Sequence, residues 1–265
     1  MHESDSFKSW KEELLEPSAN ILQKFPMLFI RGNHENCDYC SLKTNNAYKS
    51  WYRYFDIGNS VPKDNVDMLI TDNSWIFNTG SLQFYVLDSS YCGNDDYSIN
   101  HKVVSNYEKK FAFFNAHANP KMPYWLVTHK TFWNYNGNLS PSEKHHSEVN
   151  EDLLLAFNNI PIKNISAILS GHIHMAQILL MDSAPTQIIS GNSGGLLYNQ
   201  DLDPVMHNIE FHTSNRIKFY AKKALNFPGF GFAILDLENR KFSFYSKDNK
   251  ELYSAELTEN FSFNQ

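Results

Sequence analysis

The sequence has no run of about 18 apolar residues, so no segment is long enough to cross a bilayer as a helix. It has three cysteines, Cys37, Cys40 and Cys92, too few for a disulfide framework. Cys37 and Cys40 form a C-x-x-C, but no second pair completes a zinc ribbon, and the three read as ordinary thiols. Positive charge is not in excess: 23 Lys and Arg stand against 29 Asp and Glu, a net charge of -6, which gives no electrostatic footprint for nucleic acid. The N-terminal MHESDSFKSW lacks the basic and apolar regions of a signal peptide, leaving the cytoplasm as the default compartment. There is no repeat, linker or low-complexity block. What is present is a 42% apolar, 15% aromatic chain of 265 residues, long enough to bury a full core without metal or disulfide staples.

Helical and extended patterns alternate along it. Residues 7–25 are predicted as a helix with Trp10, Leu14, Leu15, Ile21 and Leu22 on one face and a kink at Pro17. The run PMLFI at 26–30 reads as a buried strand. Helices are expected at 46–55, 101–118 and 149–158, and strands at 75–78, 83–88, 123–128, 165–170, 176–181 and 187–190. The stretch 230–257 reads as three strands separated by polar turns. Residues 141–148 and 198–226 read as long surface loops of the kind that shape pockets. Strands that alternate with helices and then continue alone predict a layered α/β sandwich, with residues 1–265 forming one domain.

Three short motifs each follow a predicted strand: Arg31-Gly32-Asn33-His34-Glu35, Val127-Thr128-His129 and Gly171-His172-Ile173-His174. Strand ends in open α/β sheets are where loops converge and ligands bind. Imidazole nitrogens suit borderline metal ions, and an Asn carbonyl is a neutral oxygen donor. In H-x-H, two imidazoles at i and i+2 are expected on one side of an extended chain. Any one of these motifs is a weak signal, but the three together, in order, are a strong one.

R-G-N-H-E, then V-x-H, then G-H-x-H resembles the calcineurin-like metallophosphoesterases, over residues 25–195. The resemblance implies two stacked mixed β-sheets flanked by helices, a four-layer sandwich with two metal ions at the sheet edges and a metal-bound hydroxide that attacks phosphorus. It implies that Asn33, His129 and His172 are ligands of the second metal and His174 a ligand of the first. It implies that His34 hydrogen-bonds the phosphate and protonates the leaving group. Iron, manganese or zinc, divalent or trivalent, would serve, and the substrate would be a phosphorylated small molecule or other phosphate mono- or diester. R-G-N-H-E also occurs in protein Ser/Thr phosphatases, where the arginine grips phosphate. That makes Arg31 a candidate substrate-binding residue, with a salt bridge or a surface charge as its alternative role. The G-H-x-H ending places the chain nearer the purple acid phosphatases, nucleotidases and phosphodiesterases.

The resemblance has a gap. The family pattern opens with D-x-H and then G-D, and neither occurs before Asn33. The expectation is a chain that starts just after these motifs, with the strand carrying D-x-H missing. Two dications about 3.5 Å apart repel by roughly 19 kcal/mol at an effective dielectric near 20, which a bridging carboxylate normally offsets. Asn33 and the three histidines are neutral, so this chain is expected to hold at most one ion tightly, against two in a longer form. Glu3, Ser4 and Asp5 read as a solvated helix start. Asp88 reads either as a group behind the metal ligands or as a strand-end cap. Ser190 to Gly195 resembles the loop that follows G-H-x-H in the family, and His145, His146, His207 and His212 are placed in surface loops. Three readings follow: a dimetal phosphoesterase, an inactive or truncated phosphoesterase fold that only binds, and a mononuclear metal protein built on Asn33, His129 and His172.

Overall fold

The computed structural model of the chain describes residues 7–25, 27, 29–33, 74–90, 99–136, 146–197 and 202–264. The chain falls into two compact units, residues 1–73 with 88–92 and residues 74–87 with 93–265.

In the first unit, helix α1 (Phe7–Trp10), a wide π turn (Lys11–Leu15) and helix α2 (Glu16–Leu22) form one continuous helical segment. Pro17 has no N–H to give to the carbonyl four residues earlier, and the helix widens just ahead of it. Trp10 is buried, but Ile21 is more than half exposed, so the expected apolar face is only partly used. Within PMLFI, Met27, Phe29 and Ile30 are half-buried and irregular, so the expected strand is not seen there; Pro26 and Leu28 lie outside the described residues. Also outside them are Glu3, Ser4, Asp5, His34, Glu35, the helix expected at 46–55, the three cysteines and His145.

The second unit is built on an eight-stranded mixed sheet. Its strands are β1 (Trp75–Asn78), β2 (Gln83–Leu87), β3 (Tyr124–Thr128), β6 (Ile165–Ser170), β7 (Ala176–Met181), β8 (Thr186–Ser190), β9 (Val205–His212) and β10 (Lys218–Phe227). Their order across the sheet is β1-β2-β3-β6-β8-β7-β10-β9. The hairpin from β1 to β2 turns at Gly80, whose φ of 93° is open to glycine at no steric cost. Strands β2, β3, β6 and β8 run parallel, and the others add antiparallel. Two short strands, β4 (Trp133–Asn136) and β5 (His146–Val149), form a separate antiparallel pair.

Helix α3 (His101–His117) packs on one face of this sheet. The Phe114 ring lies tilted at 4.3 Å from Tyr85 and edge-on at 4.7 Å from Tyr124, and the Tyr85 hydroxyl donates to the Lys110 carbonyl. Helix α4 (Glu151–Asn159) lies against α3 through Phe111 and Phe157. Both helices start at an asparagine: Asn100 accepts from Lys102 and Val103 amides, and Asn150 from the Leu153 amide. Asn150 as a cap moves the start of α4 two residues beyond the sequence expectation of 149.

On the other face lies a three-stranded sheet, β11 (Gly231–Asp236), β12 (Lys241–Ser246) and β13 (Glu251–Glu256). Trp125, Ile178, Ile188, Phe242 and Phe244 form the core between the two sheets. Trp125 also donates its indole N–H to the Phe261 carbonyl. The result is the mixed α/β sandwich expected, its second sheet antiparallel among the described residues. The span 198–226, expected as a loop, holds the β9–β10 hairpin instead. His207 and His212 are therefore strand residues, and His146 begins β5. The hairpin escapes a hydropathy reading because β9 is an edge strand with few buried side chains: Ile209 and Phe211 alternate with His207, Asn208, Glu210 and His212.

Candidate metal centre

Strands β2, β3 and β6 are aligned so that Leu87, Thr128 and Ser170 are cross-strand neighbours at their C-terminal ends. His129 therefore leaves the sheet beside Gly171 and His172, and the Gly171 amide donates to the His129 carbonyl at 3.1 Å. The structure brings these two histidines into direct contact. His172 Nδ1 lies 3.1 Å from His129 Nε2, with the ring centroids 4.9 Å apart and the planes tilted by 67°.

The H-x-H segment is not extended, in contrast to the sequence expectation. The Ile173 amide donates to the Gly171 carbonyl and the Met175 amide to the Ile173 carbonyl, both at 2.7 Å. Two successive γ-turns thus wrap around His172 and His174. His172 has φ 64°, the left-handed region that side-chain-bearing residues avoid. Reversing the chain at each histidine separates their directions. His172 faces His129, whereas His174 Nδ1 bonds the Leu196 carbonyl at 2.8 Å. The loop after β8 closes on these turns. The Gly191 amide donates to the Met175 carbonyl, and a Cβ at Gly191 would sit 2.0 Å from the Ile173 carbonyl oxygen. A Cβ at Gly195 would sit 2.9 Å from the His174 ring. Only glycine fits at 191 without moving backbone.

A buried amide that the sequence reading did not single out sits behind the histidine pair. Gln187 of β8 is fully buried; its Oε1 accepts from the Phe132 amide at 3.1 Å, and its Nε2 donates to Ser170 Oγ at 2.9 Å. The available signal was a glutamine inside the apolar run of β8, TQIIS. Lys130, next to His129, is also buried. Burial pushes the Asp152 carboxyl above the usual carboxylate range, opposed by the Asn100 amide and the Lys130 charge.

In the first unit, Asn33 is buried. Arg31 Nη2 bonds Asp88 Oδ2 at 2.6 Å, with both side chains nearly inaccessible, and the Ser90 amide donates to Asp88 Oδ1. Asp88 thus both pairs with Arg31 and caps the backbone after β2.

The histidine pair passes a simple test of fit to a metal. Two nitrogens sharing one ion at about 2.0–2.1 Å each lie about 2.9–3.4 Å apart, depending on the angle between them. The observed separation of 3.1 Å falls in that range. Among the described residues, no three His, Cys, Asp or Glu side chains form a metal-sized group.

No curated protein matches the chain. The family model for calcineurin-like phosphoesterases matches residues 2–176, a span that takes in the R-G-N-H-E, V-x-H and G-H-x-H motifs. Members of this family are metal-dependent hydrolases of phosphate esters. With about two-thirds of its length matched, and its motif histidines meeting at the ends of parallel strands, this chain belongs to the calcineurin-like phosphoesterase family.

Proposed function

We propose that the chain is a phosphoesterase of the branch that includes the purple acid phosphatases and phosphodiesterases, acting on a phosphate mono- or diester. One observation carries this reading: the contact of His129 Nε2 with His172 Nδ1 at 3.1 Å, at the ends of neighbouring parallel strands. Asn33, His129 and His172 would hold an iron, manganese or zinc ion, with His174 as the residue that serves a second one. When bound, the ion supplies the positive charge that activates water and draws electron density from the phosphoryl group. At most one tightly held ion is the content expected of this chain, because the three donors are neutral. His34 is the proton donor to the leaving group, a task that suits an imidazole near neutral pH. Arg31 is a candidate phosphate contact, and its pairing with Asp88 is in competition with that role.

The test is metal content and nitrophenyl phosphate turnover of purified protein, beside His129→Ala and His172→Ala. One ion per chain in the wild type and none in either variant is expected. A wild type that binds no divalent ion would overturn the enzyme reading and favour a phosphoesterase fold kept for binding. In an active preparation, His34→Ala should cost about 10²-fold with a poor leaving group and far less with nitrophenolate, which needs no proton. Equal losses on the two substrates would remove His34 from the role.

A further inference from the structure

We infer that Gln187 is a positioning residue: its buried amide locks the turn bearing His129 to the turn bearing His172. The two turns leave different strands, β3 and β6, and are also joined by the alignment of those strands, the bond from the Gly171 amide to the His129 carbonyl and the contact of the two rings. Gln187 adds a second bridge from behind. Its Oε1 accepts from the amide of Phe132, three residues after His129. Its Nε2 donates to the hydroxyl of Ser170, two residues before His172. The same Nε2 lies 3.1 Å from the Ile188 carbonyl and 3.3 Å from the Ile168 carbonyl, so the amide plane is held from three directions. A fully buried amide so fixed has no freedom to follow either turn, and a shift of one histidine relative to the other breaks one of these bonds. Groups that hydrogen-bond metal ligands directly change metal affinity by about 10–100-fold on mutation, and that range is the scale for Gln187, which acts on the same ligands through their turns.

A second buried glutamine supplies the control. Gln177 is equally inaccessible, accepts from the Tyr135 amide at 3.1 Å and donates to the Tyr135 carbonyl at 3.0 Å and Asn226 Oδ1 at 2.7 Å. Its partners belong to neither histidine turn. Gln187→Met and Gln177→Met therefore remove comparable buried amides at nearly constant volume, and they differ in what those amides hold.

The experiment records the imidazole nitrogen resonances of metal-free protein, assigned by single-histidine variants, and then titrates cobalt(II). In Gln187→Met, the His129 and His172 signals should move toward those of separate neutral imidazoles, and cobalt(II) affinity should fall about 10–100-fold. In Gln177→Met both readouts should match wild type. Unchanged His129 and His172 signals in folded Gln187→Met, or equal changes in the two variants, would overturn the inference. If Gln187→Met does not fold, Ser170→Ala removes the acceptor of the Nε2 bond together with the long hydroxyl bond to the Ile188 carbonyl. It should shift the His172 signal, and an unmoved signal there counts against Gln187. The affinity arm rests on the metal reading proposed above, whereas the resonance arm does not. A wild type that binds no cobalt(II) overturns that reading and leaves the resonances to decide on Gln187.

Discussion

His172→Gly should be more stable than His172→Ala, although glycine is ordinarily the weaker residue of the two. His172 sits at φ 64°, closed by the bond from the Ile173 amide to the Gly171 carbonyl. A Cβ in the left-handed region costs about 1–2 kcal/mol, a cost that alanine shares with histidine and glycine does not. Against this, glycine loses about 0.4–1 kcal/mol more backbone entropy on folding. The balance favours glycine by about 0.5–1 kcal/mol, or about 1–4 °C in Tm for a chain of this size. Both variants remove the imidazole, so the lost contact with His129 cancels in the comparison and the backbone alone is measured. Urea unfolding of the two proteins, with equal slopes required, gives the difference. His172→Asn should fall between them, since asparagine tolerates this region better than alanine. An alanine variant as stable as the glycine one would refute the strained turn, and with it the account of why the H-x-H imidazoles diverge.

Asp88→Ala should destabilise the protein by about 3 kcal/mol or more, because it leaves the buried Arg31 charge without this carboxylate. Replacing both partners by Leu and Met should recover most of the loss in chemical denaturation, and equal losses from the single and double variants would contradict this. Asp152→Asn tests a pH effect: burial raises the Asp152 carboxyl in the folded state, so the native protein binds this proton more readily than the unfolded chain does. The side chain's contribution is therefore most favourable below its unfolded pKa and is lost as pH rises through the raised folded value. Wild type should gain stability relative to Asp152→Asn, which keeps an acceptor for the Asn100 amide, as pH falls from neutral toward about 4. A difference that does not change with pH would remove the buried-carboxyl explanation.

The parts of the fold that could be read in the sequence are those where local and tertiary forces agree. Strands β3, β6 and β7 are apolar runs buried on both faces along most of their length, so hydropathy alone marks them to within a residue. Helix α3 begins where Asn100 caps it, and its buried face repeats through Val103, Val104, Tyr107, Phe111 and Phe114. Hairpin β9–β10 failed for the opposite reason. It carries Lys218 and Lys223 opposite His212 and His207 of β9, and its place in the sheet comes from pairing with β7, a partner about 40 to 50 residues earlier. No local pattern encodes that pairing.

The candidate centre divides along the same line. Which residues are candidates was legible, because Gly, Asn and His after an apolar strand form a compositional signal that needs no partner. How those residues face one another was not, because direction is set by dihedrals and by distant groups. An extended H-x-H would send both imidazoles the same way, but the close approach of Gly191 to the Ile173 carbonyl and the bond from His174 to the Leu196 carbonyl hold the segment in tight turns. The loop holding Gly191 and Leu196 follows β8, so the shape of the second histidine motif depends on residues about 20 positions later. The same strand supplies Gln187. Strand β8 therefore stands behind the centre as its template while carrying none of the motif residues, and substitutions along it should alter the histidine geometry without removing a histidine.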